Sequence, residues 1–156
     1  MANTAKWIGG TSSLSSPATL LTGANLNGTG SGSMSATSAA YDNQTNLDLY
    51  CDLILHLDAL SPVAPARMDI YILVSFDGGT TYPTPSAADL RNQTSQLWCS
   101  FPMSVTATTV QDLIIRGLQL PPQKFKVVLD NQSGVGIPAN NNSTLKIESY
   151  NVNLNS

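Results

Sequence analysis

"NLDLYCDLILHLDAL", residues 46–60, alternates along its whole length. Leu47, Leu49, Cys51, Leu53, Leu55 and Leu57 take every second position; Asp48, Tyr50, Asp52, Ile54, His56 and Asp58 take the positions between. Successive residues of a β-strand point to opposite faces, so a period of two describes a long strand with one face turned to a core. Leucine favours helices, but at about 3.6 residues per turn these leucines would scatter around the axis and the acids would not segregate.

The pattern returns after the proline-bearing loop SPVAPAR, residues 61–67. In MDIYILVSF, residues 68–76, Met68, Ile70, Ile72, Val74 and Phe76 share one face, and Asp69, Tyr71, Leu73 and Ser75 the other. Asp77-Gly-Gly then supplies the positive φ values of a hairpin end. SQLWCSF (95–101), VQDLIIRGL (110–118), KFKVVLD (124–130) and TLKIESYNVNL (144–154) are further candidate strands, each bounded by Pro, Gly, Asn or Ser. In KFKVVLD, Phe125, Val127 and Leu129 point one way and Lys124, Lys126 and Asp130 the other, with Val128 an apolar exception. SAADLRNQ (86–93) has room for one helical turn, and no long segment carries a helical period. Six to eight short strands make a sandwich or a barrel. The fold predicted is all-β: an antiparallel, jelly-roll-like β-sandwich, which closes many short strands around one core. Residues 1–35, rich in Gly, Ser, Thr and Asn, read as an extended N-terminal arm with a candidate short strand at Ala18–Leu21. Residues 36–156 read as a single β-sandwich domain.

At 156 residues the chain suits one domain that needs no staple to fold. Charged residues are 11% against about 25% in an average soluble protein. Ser, Thr, Asn and Gln supply the polarity instead. Such surface costs little to desolvate, which suits contact with another protein and equally suits a sugar binder. With seven basic residues and a net charge of −3 there is no basic patch, so no nucleic-acid partner is expected. No apolar run is long enough for a membrane-spanning helix, so no membrane partner is expected. The N-terminus lacks the apolar core of a secretory signal, so Cys51 and Cys99 are expected as buried, reduced thiols.

No enzyme is expected, and no cofactor or metal. His56, the single histidine, could form a carboxylate–histidine set with Asp48, Asp52 and Asp58. The simpler reading is a solvated strand face, on which Asp52→Ala would be nearly silent. Two cysteines and one histidine do not complete a zinc site. Asp77-Gly-Gly lacks the alternating acids of a calcium loop, and no phosphate loop or nucleophile motif is present. The candidate interface residues are apolar ones in polar places. Tyr50 and Ile54 interrupt the polar face of one strand and Tyr71 and Leu73 that of the next. If those strands pair, the four form one outward cluster, to be covered by the arm, a loop or a partner. Trp7 and Ile8 stand alone in the arm, and Pro121 and Pro122 stiffen a loop.

Two stretches carry a resemblance: residues 46–82, ending in SFDGGTTY, and LPPQKFKVVLDNQSGVGIPANNNSTLKIESYN, residues 120–151. Their order is an Asn-Leu-Asp-Leu-Tyr strand, an Asp-Gly hairpin end, and a Leu-Pro-Pro-x-Lys-Phe-Lys strand. That strand runs into Asn-Gln-x-Gly, and a last strand ends in Tyr-Asn. This resembles head decoration (cement) proteins of tailed bacteriophages, over roughly residues 46–152. The resemblance implies a non-enzymatic β-sandwich that assembles as a homotrimer and binds the major capsid protein. It also implies a place on the outside of the virion capsid, reached from the host cytoplasm during assembly. The alternatives are another phage tail or fibre component, or a carbohydrate-binding sandwich using Tyr50, Tyr71, Tyr82 or Trp98 as stacking rings.

Overall fold

The computed structural model describes residues 4–9, 17–84, 96–106 and 109–155. The strands are β1 (Thr4–Gly9), β2 (Ala18–Leu21), β3 (Tyr41–Asp42), β4 (Tyr50–Leu57), β5 (Arg67–Val74), β6 (Leu97–Pro102), β7 (Gln111–Gln119), β8 (Lys124–Gln132) and β9 (Thr144–Asn155). Two four-residue helical turns, α1 (Gly23–Leu26) and α2 (Asn43–Asn46), lie among them. The turn expected at 86–93 lies outside the described residues.

All strand pairs are antiparallel, in two sheets. Sheet A runs β1-β9-β4-β7, with β2 also on β9; sheet B runs β3-β8-β5-β6. β1 and β2 share one edge of β9, Gly9 opposite Tyr150 and Ala18 opposite Ile147, so they act as two pieces of one strand. Counted so, the sheets read 1-8-3-6 and 2-7-4-5. Every connection crosses between sheets except the one joining β5 to β6, which is the interlocked order of a jelly roll.

The core lies between the sheets. On β4, Cys51, Leu53, Leu55 and Leu57 are fully buried and the residues between are half-buried, as the alternation requires. Facing them from sheet B are Met68, Ile70, Phe101, Phe125, Val127 and Leu129. Each such side chain contributes about 1.5–3 kcal/mol when removed from water.

Three departures from the simple alternation have local causes. Leu47 and Leu49, expected on the buried face, are 58% and 57% exposed. The Asp42 carboxylate caps α2 by accepting from Gln44 N and Thr45 N, and α2 ends on Leu47 in a left-handed backbone (φ 52°), so the strand begins only at Tyr50. Asp48 is buried instead. Its carboxylate accepts from Ser149 Oγ (2.6 Å) and Asn151 Nδ2 (2.9 Å), and its amide donates to Asn43 Oδ1 (3.0 Å). Phe76, also expected inside, is 87% exposed because β5 ends at Val74. Leu97 is exposed because Ile70 faces Cys99 while Tyr71 faces Leu97; Trp98 is an extra residue, a β-bulge. The Trp98 ring packs edge-on against Phe125, with centroids 5.6 Å apart.

Residues 17–35, assigned from sequence to an extended arm, send Leu20, Leu21 and Leu26 into the core. The chain then follows the outer edge of β8. Ser38 N donates to Val127 O (2.9 Å), Ser35 N to Leu129 O (2.8 Å) and Gly32 N to Asn131 O (2.7 Å). In return Val127 N donates to Ser38 Oγ (2.9 Å) and Leu129 N to Ser35 Oγ (3.1 Å). The two buried hydroxyls stand in for the carbonyls of a missing ladder partner. An unsatisfied buried amide costs about 1–3 kcal/mol. Ser35→Ala and Ser38→Ala are each expected to lose that much in urea denaturation, whereas Ser33→Ala, at an exposed position, should stay within about 0.5 kcal/mol.

Candidate functional site

The chain treats its two outer sheet faces differently. On sheet B, Tyr71, Leu73 and Val128 form a second buried cluster, against which Met34 packs. Asp69 and Asp130 stand directly opposite each other on the same face, both buried. Arg67 Nε donates to both oxygens of Asp69 (3.1 and 2.9 Å), Ser100 Oγ adds a 2.5 Å bond, and Gln132 Nε2 donates to both oxygens of Asp130 (3.0 Å each). Like charges directly opposite on a sheet repel, and these donors compensate them.

Sheet A carries half-buried and exposed residues on its outer face, in cross-strand rows. Tyr50 stacks on Tyr150, centroids 6.1 Å apart. In the next row Asp52 faces Glu148 on one side and a bulge on the other, because Cys51 pairs with Leu118 but Leu53 with Ile115. Arg116 and Gly117 both occupy the space opposite Asp52, and Gly117 takes φ +71°, which favours glycine. The Asp52 carboxylate secures the bulge by accepting from Gly117 N (3.0 Å) and Tyr150 Oη (3.0 Å). Ile54 then lies between Lys146 and Ile114, and His56 between Thr144 and Asp112. Ile54, His56, Asp112, Asn142, Thr144 and Lys146 line a shallow depression there.

The four-residue cluster expected from sequence does not form. Tyr50 and Ile54 belong to sheet A, Tyr71 and Leu73 to sheet B, because the β4–β5 connection crosses the sandwich. The chain's own Met34 packs against the latter pair. Trp7 and Ile8 lie on β1, opposite Val152 and Asn151; their side chains lie outside what the structure describes. Pro121 and Pro122 form the β7–β8 connection; the Pro121 carbonyl accepts from Asn43 Nδ2 (2.8 Å), and Pro122 is exposed. β4 pairs with β9 only as far as Tyr150, whereas β1 pairs with it from Tyr150 to Asn155. The last five residues of β9 and their partners thus form a two-stranded ribbon beyond the end of β4, roughly 17 Å long at about 3.3 Å per residue.

Nor do the acids near His56 assemble around it. His56 Nδ1 meets Asp112 Oδ1 at 2.7 Å, from a different strand. Asp52 holds the bulge, Asp48 is buried with Ser149 and Asn151, and Asp58 accepts from Asn140 and Asn142. Among the described residues no group of three His, Cys, Asp or Glu could hold a metal. Asp112, Ile114, Lys146 and Tyr150 escaped the sequence reading. Alternation places them on a strand face, but only sheet order shows which strands lie side by side. The proposed stacking rings do not converge either: Tyr71 is buried, Trp98 donates to Gln119 O, and Lys126 Nζ lies 4.5 Å above the Tyr82 ring.

Compared with known proteins, the chain finds no match among family models, curated proteins or solved structures.

Asp52→Ala, expected from sequence to be nearly silent, should instead lower stability by about 1–3 kcal/mol in denaturant titration, since it strips the bulge amide and Tyr150 of their acceptor. The Tyr150 hydroxyl is pushed up from 10.0 to about 12, first by burial and then by Asp52. A group raised in the folded state stabilises fully below its unfolded value, and that contribution is lost as pH climbs through the folded one. Unfolding midpoints measured from pH 9 to 12 should therefore fall between about 10 and 12. Tyr150→Phe should flatten that part of the fall.

Cys51 and Cys99 are both free thiols; Cys51 is buried, and Cys99 is half-buried rather than fully buried as expected. Burial, followed by the Asp69 charge, pushes the Cys99 thiol up to about 12, and burial raises Cys51 as well. Only the thiolate reacts, and at pH 8 a thiol of pKa about 12 is ionised to about one part in ten thousand. Thiol titration should find both nearly inert until denaturant is added; rapid labelling of native protein would contradict this.

Proposed function

We propose that this chain is a structural virion protein: a capsid decoration, or cement, protein that binds the outside of a phage head as a homotrimer and stabilises it. The observation that carries this reading is the difference between the sheet faces. The chain uses residues 29–42 to cover the face and edge of sheet B, and leaves sheet A with Tyr50, Ile54, Ile114 and Tyr150 at its surface and a ribbon extending beyond it. A fold serving contact needs such an uncovered surface on a rigid support. Two strands alone are marginal in water, and the major capsid protein or a neighbouring subunit would supply the third surface. The resemblance over residues 46–152 supports the same role. Three contacts made together by a trimer hold far more firmly than one.

Light scattering should give about three times the 16.5 kDa monomer mass. Deleting residues 2–16 removes β1 but leaves β2 and the core, so the melting temperature should change little. The truncated protein should sediment less with capsids stripped of the native protein, and rebuilt particles should burst more readily on heating. Equal binding and protection by both forms would remove the ribbon from the proposal; a glycan-array signal from a clean monomer would favour the carbohydrate-binding alternative.

A further inference from the structure

Three of the four outer strand edges are short or broken. Along β9 the edge is split into β1 and β2, along β8 it is the two-residue β3 with Ser35 and Ser38, and β6 is short and interrupted by the Trp98 bulge. β7 is the long one: nine residues at the end of sheet A, with no backbone partner on its outer side among the described residues. Proteins usually blunt such an edge, because its open N–H and C=O groups accept another strand. Here the bulge at Arg116 and Gly117 ends the regular part, leaving Gln111–Ile115 in unbroken register with β4.

The exposed residues on that stretch have a particular order. Asp112, Ile114 and Arg116 share the outer face; the two charged side chains are 65% and 76% exposed and Ile114 is 50% exposed. Acid, isoleucine, base read backwards is its own complement. When two copies of one strand pair antiparallel about a twofold axis, residues of the same face must stand opposite each other, so the allowed registers differ by two residues. In the register centred on Ile114, Asp112 faces Arg116 of the other copy twice, Ile114 faces Ile114, and Leu113 faces Ile115. Centred on Leu113, Asp112 faces Ile114; centred on Ile115, Arg116 does. Only the first brings the opposite charges of the two copies face to face, in addition to their contacts within the chain, His56 at 2.7 Å from Asp112 and Asp52 at 4.0 Å from Arg116.

We propose that β7 is a self-association edge, through which two copies of this chain pair across a twofold axis at Ile114 and join their A sheets into one. Open amides and carbonyls on each edge supply the main-chain bonds, as in β-strand addition. The two Asp112–Arg116 pairs, each using the first residue of the bulge, set the register, and because a twofold contact uses each edge once, pairing stops at two copies. Opposite charges across a pair stabilise it and like charges do the reverse. A contact this small is weak alone and gains force where many copies are held in an array. This proposal does not rest on the virion role or on the trimer.

The residue on the axis is the only one of β7 that meets its own copy. Ile114→Cys is therefore expected to form a covalent dimer under mild oxidation, far in excess of Phe76→Cys, an exposed control beyond the end of β5 in the other sheet. Equal dimer yields from the two would overturn the proposal. Sedimentation at increasing concentration provides the second arm. Asp112→Arg or Arg116→Asp alone should abolish pairing while circular dichroism shows the sandwich still folded, and the two together should restore it. If the double exchange pairs no better than either single one, or if the singles pair as the native protein does, β7 is not the contact.

Discussion

β8 is buried on both faces, and much of the molecule follows from what that demands. Val127 and Leu129 enter the core, while Val128 and Asp130 point the other way and are equally inaccessible, with no exposed surface from Val127 to Asn131. A strand in this position needs a cover for its second face and a partner for its second edge, because an unpaired buried amide costs more than a net hydrogen bond returns. The N-terminal segment meets both needs: Met34 packs on the outward cluster, and the Ser35 and Ser38 hydroxyls accept the two amides that an irregular edge would leave open. The β8 side of sheet B is thereby closed by its own chain.

The two bulges act on the same economy of edges. At Trp98 the extra residue swings a large ring onto Phe125 and sends Leu97 outward, which breaks the regularity of β6. At Arg116 and Gly117 the extra residue is held by the Asp52 carboxylate, and β7 pairs over five residues on one side of it and two on the other. Each bulge shortens the stretch of edge that another chain could use. The stretch that remains on β7 carries Asp112 and Ile114, with Arg116 at its limit.

The buried acids belong to the same scheme. Asp48, Asp69 and Asp130 are nearly inaccessible, yet each accepts from side chains fixed in place: Ser149 and Asn151, Arg67 and Ser100, and Gln132. Burying a carboxylate without donors would cost several kcal/mol, so each tolerates only the arrangement that brings its donors near. They pin the start of β4 and the register of β5 against β8, and that work is structural rather than chemical.

Alternation alone was enough to place β4 to β9 and many of their inward residues, though not β1 or β3, because a period of two has one reading when one face must leave water. The buried positions of β4, Met68 and Ile70 on β5, and Phe125, Val127 and Leu129 on β8 were all legible in this way. Strand ends were less so, since α2, a left-handed Leu47 and a bulge each displace a residue without altering the local pattern. The outer faces were not legible. Whether Tyr50 and Ile54 join Tyr71 and Leu73 depends on which strands are neighbours, and jelly-roll connections send successive strands to opposite sheets. Whether an outward apolar residue meets water, a partner or the chain itself depends on a segment of low charge and little pattern, whose serines show their purpose only beside the edge of β8. Sequence carries the periodicity of each strand; only the tertiary structure decides what lies across from it.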